Sequence, residues 1–453
     1  MAAQRGELRL VMADAQGHIY DDPRLLMVCR RGWQWGLPRT DEIIPLPEES
    51  ECFFLPGRQA LGLDPETGHL AAPEGEAQLA VAAFAAPAYT LSAHPAYEAA
   101  KDAPLLPLFA YGAVGFANGR FYMCARRVDK EPRQEFRHIP KSSIEQGARE
   151  VLAACPSNRL VRHIVNNCVG RYDCPAARNF VLGRYEAPLP TSRSCNARCL
   201  GCISAQDSDS PLRVTPQCRL DFTPEPEEIV DVMRFHARRE RRPIYSFGQG
   251  CEGDPLMNAD LLVASVARFR ASGGSGTVNC NTNASRPEAV AALADAGLTS
   301  LRVSLNSARD ALYARYHRPC GYDLDNVRAS IRAARQRHVW VSLNLLYFPG
   351  ITDTEPELEA LARLVGENGV SMIQWRNLNI DPEWYLRHMD AGDGGGRLAD
   401  EPAMGLRSFM KRLKKLCPWL VYGYFNPYLG EHADIAAPLP GQWRMPLPST
   451  LAR

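Results

Sequence analysis

The most constraining feature of this sequence is a group of three closely spaced cysteines. Cys195, Cys199 and Cys202 follow the spacing C-x3-C-x2-C. Three thiolates on one short loop can bind three irons of a [4Fe–4S] cube, whereas complete ligation by the protein would take four. The spacing therefore indicates a cluster whose fourth iron stays open to a substrate or a cofactor.

Two other uses of these cysteines fit less well. No apolar region of a secretory signal follows residues 1–6, so we expect a reducing, cytoplasmic compartment in which disulfides are rare. Structural zinc sites present four Cys or His ligands, usually in pairs. Cys199 and Cys202 form one close pair, and no His follows them at finger spacing.

Length and charge limit the remaining possibilities. A chain of 453 residues can hold two or three domains. Its net charge of +1 gives no strong signal for nucleic acid. The longest apolar stretch, residues 79–87, is too short to span a bilayer, so we expect no membrane partner.

The chain changes character near residue 185. Short apolar runs broken by turn residues predict a β-rich N-terminal domain over residues 1–140, followed by a helical connector over residues 141–184. Alternating strand and helix patterns predict a parallel α/β core over residues 185–385. Residues 386–453 are expected to form a C-terminal extension.

Six strands are expected in the core, one of them just before Cys195. The other five are predicted at residues 243–247, 276–280, 301–305, 339–346 and 371–375. Helices are predicted to open at Thr223, at a capping box formed by Ser285 and Glu288, and at Asp353. Residues 390–396 have the composition of a flexible loop.

Polar and Gly-rich segments follow these strands, at the edge where α/β folds place chemistry. After the second strand, glycines at 248 and 250 would let the backbone approach a ligand, and Glu252 could bind an ammonium group. An ordinary Gly-rich turn is the alternative. After the third strand, Asn281 and Asn283 could bind a carboxylate or form Asx turns.

The later strands carry further polar residues. Arg302, Ser304 and Asn306 share one face of the fourth strand by alternation, where a buried parallel strand should be apolar. A Pro349-Gly-x-x-Asp turn follows the fifth strand. The segment from Arg376 to Asp381 follows the sixth and is expected to face a substrate mouth.

The order of these motifs resembles the radical S-adenosylmethionine (radical SAM) superfamily, over roughly residues 185–385. The resemblance implies a partial (β/α)6, TIM-like barrel with the β-rich N-terminal domain and the short C-terminal extension added to it. It implies a [4Fe–4S] cluster on Cys195, Cys199 and Cys202, whose open iron chelates SAM. A flavodoxin- or ferredoxin-type donor would supply the electron that cleaves SAM to a 5′-deoxyadenosyl radical.

The resemblance also implies the SAM contacts. The turn after the second strand takes the place of the Gly-Gly-Glu-Pro motif that binds the amino group of SAM, although Cys251 interrupts it. Gly201 stands where family members commonly have an aromatic residue near the adenine. The implied SAM-binding residues are Gly248, Gly250, Glu252, Asn281, Asn283, Ser304, Asn306 and Pro349.

The predicted function is a radical SAM enzyme that abstracts hydrogen from a substrate the sequence does not identify, with a protein, a peptide or RNA as the first candidates. The alternatives are a small-metabolite enzyme of cofactor or natural-product synthesis and a non-catalytic iron–sulfur protein. A wide, charged mouth around Arg376 and Asp381 would favour the macromolecular substrate. Cys251 and Arg376 are the candidate catalytic residues, with Cys251 either a hydrogen donor, a substrate-facing thiol or a packing residue.

Four cysteines outside the loop stay ambiguous. Together they could hold an auxiliary cluster or a metal ion, but burial as small hydrophobic residues is the favoured interpretation. They are Cys168, Cys174, Cys218 and Cys251.

Overall fold

The computed structural model describes most of the chain, in two compact units. The described residues are 7–75, 78–206, 210–212, 215–390, 398, 401–430 and 437–445. The first unit is Met1–Lys130 with Leu346–Leu361 and Trp375–Leu416, and the second is Glu131–Leu345 with Ala362–Gln374 and Cys417–Arg453. The four-segment division expected from the sequence stays a prediction. Residues 391–396 of the expected flexible loop lie outside the described residues.

The N-terminal part of the first unit is built on antiparallel strands, which confirms the predicted β-rich N-terminal region. Its strands, among the described residues, are β1 (Arg9–Ala13), β2 (Ile19–Met27), β3 (Cys29–Arg31), β4 (Gln34–Gly36), β5 (Ile43–Pro45), β6 (Glu51–Ala60), β7 (Gly62–Leu63), β8 (Leu70–Ala71), β9 (Leu79–Phe84), β10 (Tyr89–Leu91), β11 (His94–Pro95), β12 (Tyr97–Ala99), β13 (Gly112–Ala117) and β14 (Arg120–Arg127). Eleven of these described strands form one sheet, whose main path runs in the order β10-β14-β13-β9-β1-β2-β7-β8, and β11, β3 and β4 form a separate sheet.

Helices occupy the predicted connector and alternate with strands beyond it. No helix of the described residues is both long enough and apolar enough to cross a membrane. The helices are α1 (Lys141–Ala154), α2 (Arg159–His163), α3 (Pro175–Val181), α4 (Pro226–Ala237), α5 (Ala259–Ala271), α6 (Pro287–Asp295), α7 (Asp310–His317), α8 (Leu324–Gln336), α9 (Glu355–Asn368), α10 (Pro382–Asp390) and α11 (Leu406–Leu416), and a π-helix covers Ile164–Val169.

A parallel sheet forms the centre of the predicted core. All six predicted strands are present, and a seventh comes from the C-terminal extension. The strands, which pair in chain order, are β15 (Glu186–Leu189), β16 (Ile244–Phe247), β17 (Thr277–Thr282), β18 (Ser300–Leu305), β19 (Trp340–Tyr347), β20 (Met372–Asn377) and β21 (Val421–Gly423). Nearly all residues of β16 and β17 are buried, as expected for strands covered on both faces.

The side chain of Asn426 shows that this sheet is curled. Its amide donates to Glu186 of β15 at 2.8 Å and to Ser246 of β16 at 3.3 Å, and its oxygen accepts from Gln374 of β20 at 3.1 Å. One short side chain can reach the first, second and sixth strands only if the sheet bends around it. Closure into a complete barrel stays a prediction.

One helix start differs from the sequence prediction because the side chain expected to cap it bonds to a distant residue, and the predicted cap at Asp353 stays a prediction. Helix α6 has Arg286 at its N-cap without a side-chain cap, and the Ser285 hydroxyl instead accepts from Asn196. The carboxylate of Asp353 accepts from the backbone N–H groups of Gly350 and Gly405. The predicted capping box at Ser285 is therefore wrong, and Asp353 joins two loops of the first unit.

Another helix starts slightly later than predicted. Helix α4 begins at Pro226, after a capping box formed by Glu225 and Glu228. Its predicted apolar face is confirmed, because Ile229 and Val232 are fully buried.

Asp381 lies inside the first unit instead of facing a substrate mouth. Its carboxylate pairs with the guanidinium of Arg58 at 2.7 Å, and both side chains are at most 3% exposed. It also accepts from the backbone N–H groups of Leu106, Glu383 and Trp384, the last two at the start of α10. The expected position of Asp381 at a substrate mouth is wrong, because its buried carboxylate forms an ion pair with Arg58.

Replacing Asp381 by Ala should destabilise the first unit by about 3–5 kcal/mol, since it leaves the Arg58 charge buried without its partner. Urea unfolding followed by tryptophan fluorescence measures the change. The exposed Asp102 provides the matched control, Asp102→Ala, for which we expect a change within about 0.5 kcal/mol. Equal stability of the two variants would contradict the structural role of the ion pair.

Candidate functional site

The three cysteines of the C-x3-C-x2-C loop lie together after β15. All three are partly buried. Burial raises the pKa of the Cys199 thiol, and the neighbouring Cys202 and Cys195 thiolates raise it further. The thiols of Cys195 and Cys202 therefore lie near that of Cys199, and the binding of one cluster by all three stays a prediction.

The thiols differ in how easily they ionise. Burial raises the pKa of Cys195 to about 11, with a further contribution from the charge of Asp254. The pKa of Cys202 is lowered: burial opposes this, but bonds from the Ser204 N–H and hydroxyl and the Arg219 charge outweigh it. Arg219 Nη2 lies 3.8 Å from Cys202 Sγ and its Nε donates to Ser204 at 3.1 Å. Arg219 and Ser204 are residues that the sequence did not indicate.

Helix α7 supports the middle of the loop. The backbone N–H of Arg198 donates to the carbonyl of His317 at 3.0 Å, and that of Leu200 donates to Tyr316 at 2.9 Å. The Cys199 sulfur lies 3.4 Å from Nδ1 of His317, whose pKa burial lowers to about 3. His317 is thus a neutral imidazole beside the thiol, and no local sequence signal pointed to it.

Gly201 is explained by the same helix. A Cβ atom at this position would lie 2.9 Å from the hydroxyl oxygen of Tyr316. A larger residue before Cys202 would therefore require the Tyr316 hydroxyl to shift.

The loop is also tied to the end of β17. Asn283 donates from its side-chain amide to Asn196 at 2.8 Å, and Asn196 donates to Ser285 at 3.0 Å. Asn283 accepts from the backbone N–H of Ser285 at 3.0 Å, which is the Asx turn considered for this segment. Asn283 thus positions the cysteine loop, and a contact with SAM stays a prediction.

Glu252 joins the ends of two strands through its carboxylate. One oxygen accepts from the backbone N–H groups of Thr191 and Ser192 at 2.7 and 2.9 Å, and from the Thr191 hydroxyl at 3.2 Å. The other accepts from the N–H groups of Gly248 and Gln249 at 2.8 and 2.7 Å. Five donors occupy both oxygens, so Glu252 fixes the turn after β16 against the start of the cysteine loop.

Burial and these bonds act in opposite directions on the charge of Glu252. Burial raises the pKa of the carboxyl to about 7, although the N–H groups of Thr191, Gln249, Ser192 and Gly248 lower it. The ionised form can accept all five donors, whereas a protonated form must give up part of them. A direct contact between Glu252 and SAM stays a prediction.

The glycines of this turn are explained by close backbone approach. A Cβ on Gly248, which has a φ of 79°, would lie 1.8 Å from the carbonyl oxygen of Asn281, and one on Gly253 would lie 2.0 Å from that of Ser194. A Cβ on Gly250 would lie 2.7 Å from the tip of Ile203. The turn therefore packs its backbone directly against the cysteine loop and β17.

Asp254 closes the turn and was not among the expected site residues. Its carboxylate accepts from the Thr282 hydroxyl at 2.8 Å and from the backbone N–H of Asn283 at 2.6 Å. Its own backbone N–H donates to Ser194 at 2.9 Å. Asp254 thus connects β17 to the cysteine loop.

A row of polar side chains crosses the inner face of the sheet. Asn279 donates to Asn281, which donates to the carbonyl of Gly248 at 2.9 Å. Arg302 donates to Asn281 at 3.4 Å and to Asn344 on β19. The buried Oδ1 of Asn279 has no hydrogen-bond partner among the described residues. This face offers amides and a guanidinium, as the alternation on β18 predicts.

Ser304 and Asn306, the other residues expected to bind SAM from β18, have different surroundings. Ser304 is half-buried and pairs in register with Asn344. Asn306 lies beyond the strand and donates to the carbonyl of Leu312 in α7 at 3.2 Å. Asn306 is fully buried, so its amide is used in holding α7.

Pro349 and Arg376 belong to the first unit. The carbonyl of Pro349 accepts from the N–H of Gly32 at 2.8 Å, and Arg376 is half-buried on β20. Their proposed contacts with SAM and with substrate stay predictions. Cys251 is buried, with its sulfur 3.8 Å from that of Cys168.

The chain was compared with family models, curated proteins and solved structures. The model of the Radical SAM superfamily matches residues 189–362, which include the cysteine loop, the Glu252 turn and the polar row. A search of the curated proteins found no match.

Three solved structures are similar to the chain. One is HydG, a maturase of the [FeFe]-hydrogenase, at 17% identity and a TM-score of 0.34 over 61% of this chain and 64% of that one. Another is SuiB of Streptococcus suis bound to the precursor peptide SuiA, at 14% identity and a TM-score of 0.31 over 47% of this chain and 42% of that one. The third is a radical SAM methyltransferase from Sphaerobacter thermophilus, at 16% identity and a TM-score of 0.32 over 51% of this chain and 62% of that one. The chain spans less than two thirds of each of these proteins.

Replacing Glu252 by Ala should destabilise the second unit by at least about 3 kcal/mol, since four buried N–H groups lose their acceptor at about 1–3 kcal/mol each and water can replace part of it. Chemical unfolding measures the loss, with the exposed Glu288→Ala as the matched control. We expect the variant also to retain less iron, because the cysteine loop loses its anchor. Full stability and full iron content, with weaker SAM binding alone, would contradict the anchoring role.

Proposed function

We propose that this chain, whose residues 189–362 belong to the Radical SAM superfamily, is an enzyme that cleaves SAM reductively at the cysteine loop. The observation that carries the proposal is the C-x3-C-x2-C loop of Cys195, Cys199 and Cys202 inside the matched segment. In the proposed reaction, hydrogen is abstracted from an unactivated carbon of a protein, peptide or RNA substrate.

The donor set fits the cofactors that this superfamily uses, a [4Fe–4S] cluster and SAM. Cys195, Cys199 and Cys202 supply three thiolates, and the fourth iron position is left to SAM. The raised pKa values of Cys195 and Cys199 mean that these thiols release protons when they bind iron. When bound, the cluster supplies the electron that breaks a carbon–sulfur bond of SAM and releases the 5′-deoxyadenosyl radical. We propose that a flavodoxin- or ferredoxin-type protein delivers that electron.

The surrounding residues hold the reactants and exclude water. We assign the amino group of SAM to the exposed backbone of the turn from Gly248 to Asp254, with Glu252 as the positioning residue that shapes it. We assign the carboxylate of SAM to Arg302, which Asn281 and Asn344 orient from both neighbouring strands. A guanidinium suits a carboxylate because it can donate two parallel hydrogen bonds.

We assign the aromatic surface near the cluster to Tyr316, since its hydroxyl fills the space beside Gly201. In the proposal, Arg376 contacts the substrate, and the hard chemistry belongs to the cofactor while the protein binds and orients.

Joint replacement of Cys195, Cys199 and Cys202 by Ala should remove about four irons per chain after anaerobic reconstitution. It should also abolish 5′-deoxyadenosine formation with dithionite and SAM. The matched control replaces three cysteines that are partly buried or exposed elsewhere, Cys52, Cys155 and Cys320.

Two outcomes would contradict the proposal at different points. A loop variant with full iron and sulfide content would show that other residues bind the cluster. A wild-type protein that holds its cluster but never cleaves SAM would favour a non-catalytic iron–sulfur protein.

Arg302→Gln should weaken SAM binding by about 10- to 100-fold, the effect of losing a charge-assisted hydrogen bond, while the iron content stays unchanged. Equilibrium dialysis with labelled SAM measures the affinity. Arg328→Gln on α8, which removes a guanidinium paired with Asp310 and Asp325, is the matched control and should bind SAM normally. Unchanged affinity in Arg302→Gln would move the carboxylate site elsewhere.

A further inference from the structure

A second group of metal-binding side chains lies outside the cysteine loop. One donor atom from each of His163, Cys168 and Cys251 lies within 4.8 Å of the other two. Cys168 and Cys251 are buried, and all three residues belong to the second unit. Burial as isolated hydrophobic residues, the interpretation favoured by the sequence, does not explain why three donors of this type converge.

The π-helix brings two of these donors together. His163 ends α2, and Cys168 lies five residues later in the π-helical segment Ile164–Val169. In an α-helix such residues would point about 140° apart. Here the N–H of Gly170 donates to the carbonyl of Val165, and the resulting i→i+5 spacing returns a side chain to nearly the same side after five residues.

The distance between the sulfurs fits one tetrahedral ion. Cys168 Sγ and Cys251 Sγ are 3.8 Å apart. Two zinc–sulfur bonds of about 2.3 Å at a tetrahedral angle place their sulfurs about 3.8 Å apart. A disulfide requires about 2.05 Å, so the two thiols are not bonded to each other. In a [4Fe–4S] cube each thiolate binds a different iron, which would hold the sulfurs farther apart.

One ring nitrogen of His163 lacks a hydrogen-bond partner, and the imidazole also lies within hydrogen-bonding reach of the Cys251 thiol. Its Nε2 is buried and has no hydrogen-bond partner among the described residues. The ring packs edge-on against Phe222, with centroids 6.0 Å apart. A buried polar nitrogen without a partner is rare in native structures and often marks an ion or a water site.

Cys174 lies beside this group, since its backbone N–H donates to the carbonyl of Cys168 at 2.8 Å. Its sulfur is not among the donor atoms that lie within 4.8 Å of one another. Cys218, the fourth ambiguous cysteine, is exposed. One His and two Cys are ligands of the kind that bind zinc, and they leave the fourth position of a tetrahedron to water.

We propose that His163, Cys168 and Cys251 bind one tetrahedral zinc-type cation, with water as the fourth ligand. The ion joins the helical connector to the turn after β16, because Cys251 lies directly before Glu252. It is a structural site, separate from the cysteine loop, and its role is to hold the turn that shapes the proposed SAM site.

Metal analysis of the purified full-length protein tests this. We expect about one zinc per chain, lost in Cys168→Ser and in His163→Ala. Cys124→Ser is the matched control, since Cys124 is also buried, with its sulfur 3.5 Å from that of Cys29. Replacement of Cys195, Cys199 and Cys202 by Ala should remove the iron and leave the zinc. Zinc that disappears with the loop cysteines, or that survives Cys168→Ser, would overturn the proposal.

Cobalt gives a second measurement that does not depend on the folding of a ligand variant. The protein lacking the three loop cysteines, stripped of zinc and titrated with Co²⁺, should develop the intense visible bands of tetrahedral cobalt with thiolate-to-metal charge transfer, and Zn²⁺ should abolish them. Octahedral cobalt bands alone, or a Cys168–Cys251 disulfide found by mass spectrometry after alkylation, would overturn it.

Discussion

The buried carboxylate of Glu252 is the interaction on which the site depends. A carboxylate removed from water is tolerated only when hydrogen bonds replace its hydration. Here the replacement comes from backbone N–H groups that follow two different strands, β15 and β16. Those groups cannot keep their bonds if either strand end moves. One side chain therefore sets the position of the cysteine loop relative to the turn that faces it.

The sequence predicted the features that depend on neighbouring residues. The six strands of the core were predictable because each is an apolar run between turn residues, and Cys195, Cys199 and Cys202 because their spacing is short. The seventh strand, Val421–Gly423, is too short to give a pattern. Asn426 gave no signal either, since its three partners lie on strands between 52 and 240 residues away.

The errors share one cause. Ser285 has the residue type and position of a helix cap, yet it bonds to a distant loop, and Asp381 caps α10 while also pairing with Arg58. Local rules identify which groups a side chain can bond but not which partner is present in the folded chain. The contact between His317 and Cys199 could not be predicted for the same reason, since the two residues are 118 positions apart.

The composition of the turn after β16 explains how the proposed cation on Cys251 would stabilise it. The turn contains Gly248, Gly250 and Gly253, and glycines lose more conformational entropy on folding than other residues. Close contacts with Asn281 and Ser194 exclude side chains at Gly248 and Gly253, so these two residues have no side chains with which to hold the turn. The two residues between the second and third glycines, Cys251 and Glu252, are the ones with strong bonding partners. The carboxylate fixes one side of the turn to the backbone, and the thiol, through the proposed ion, fixes the other side to the connector.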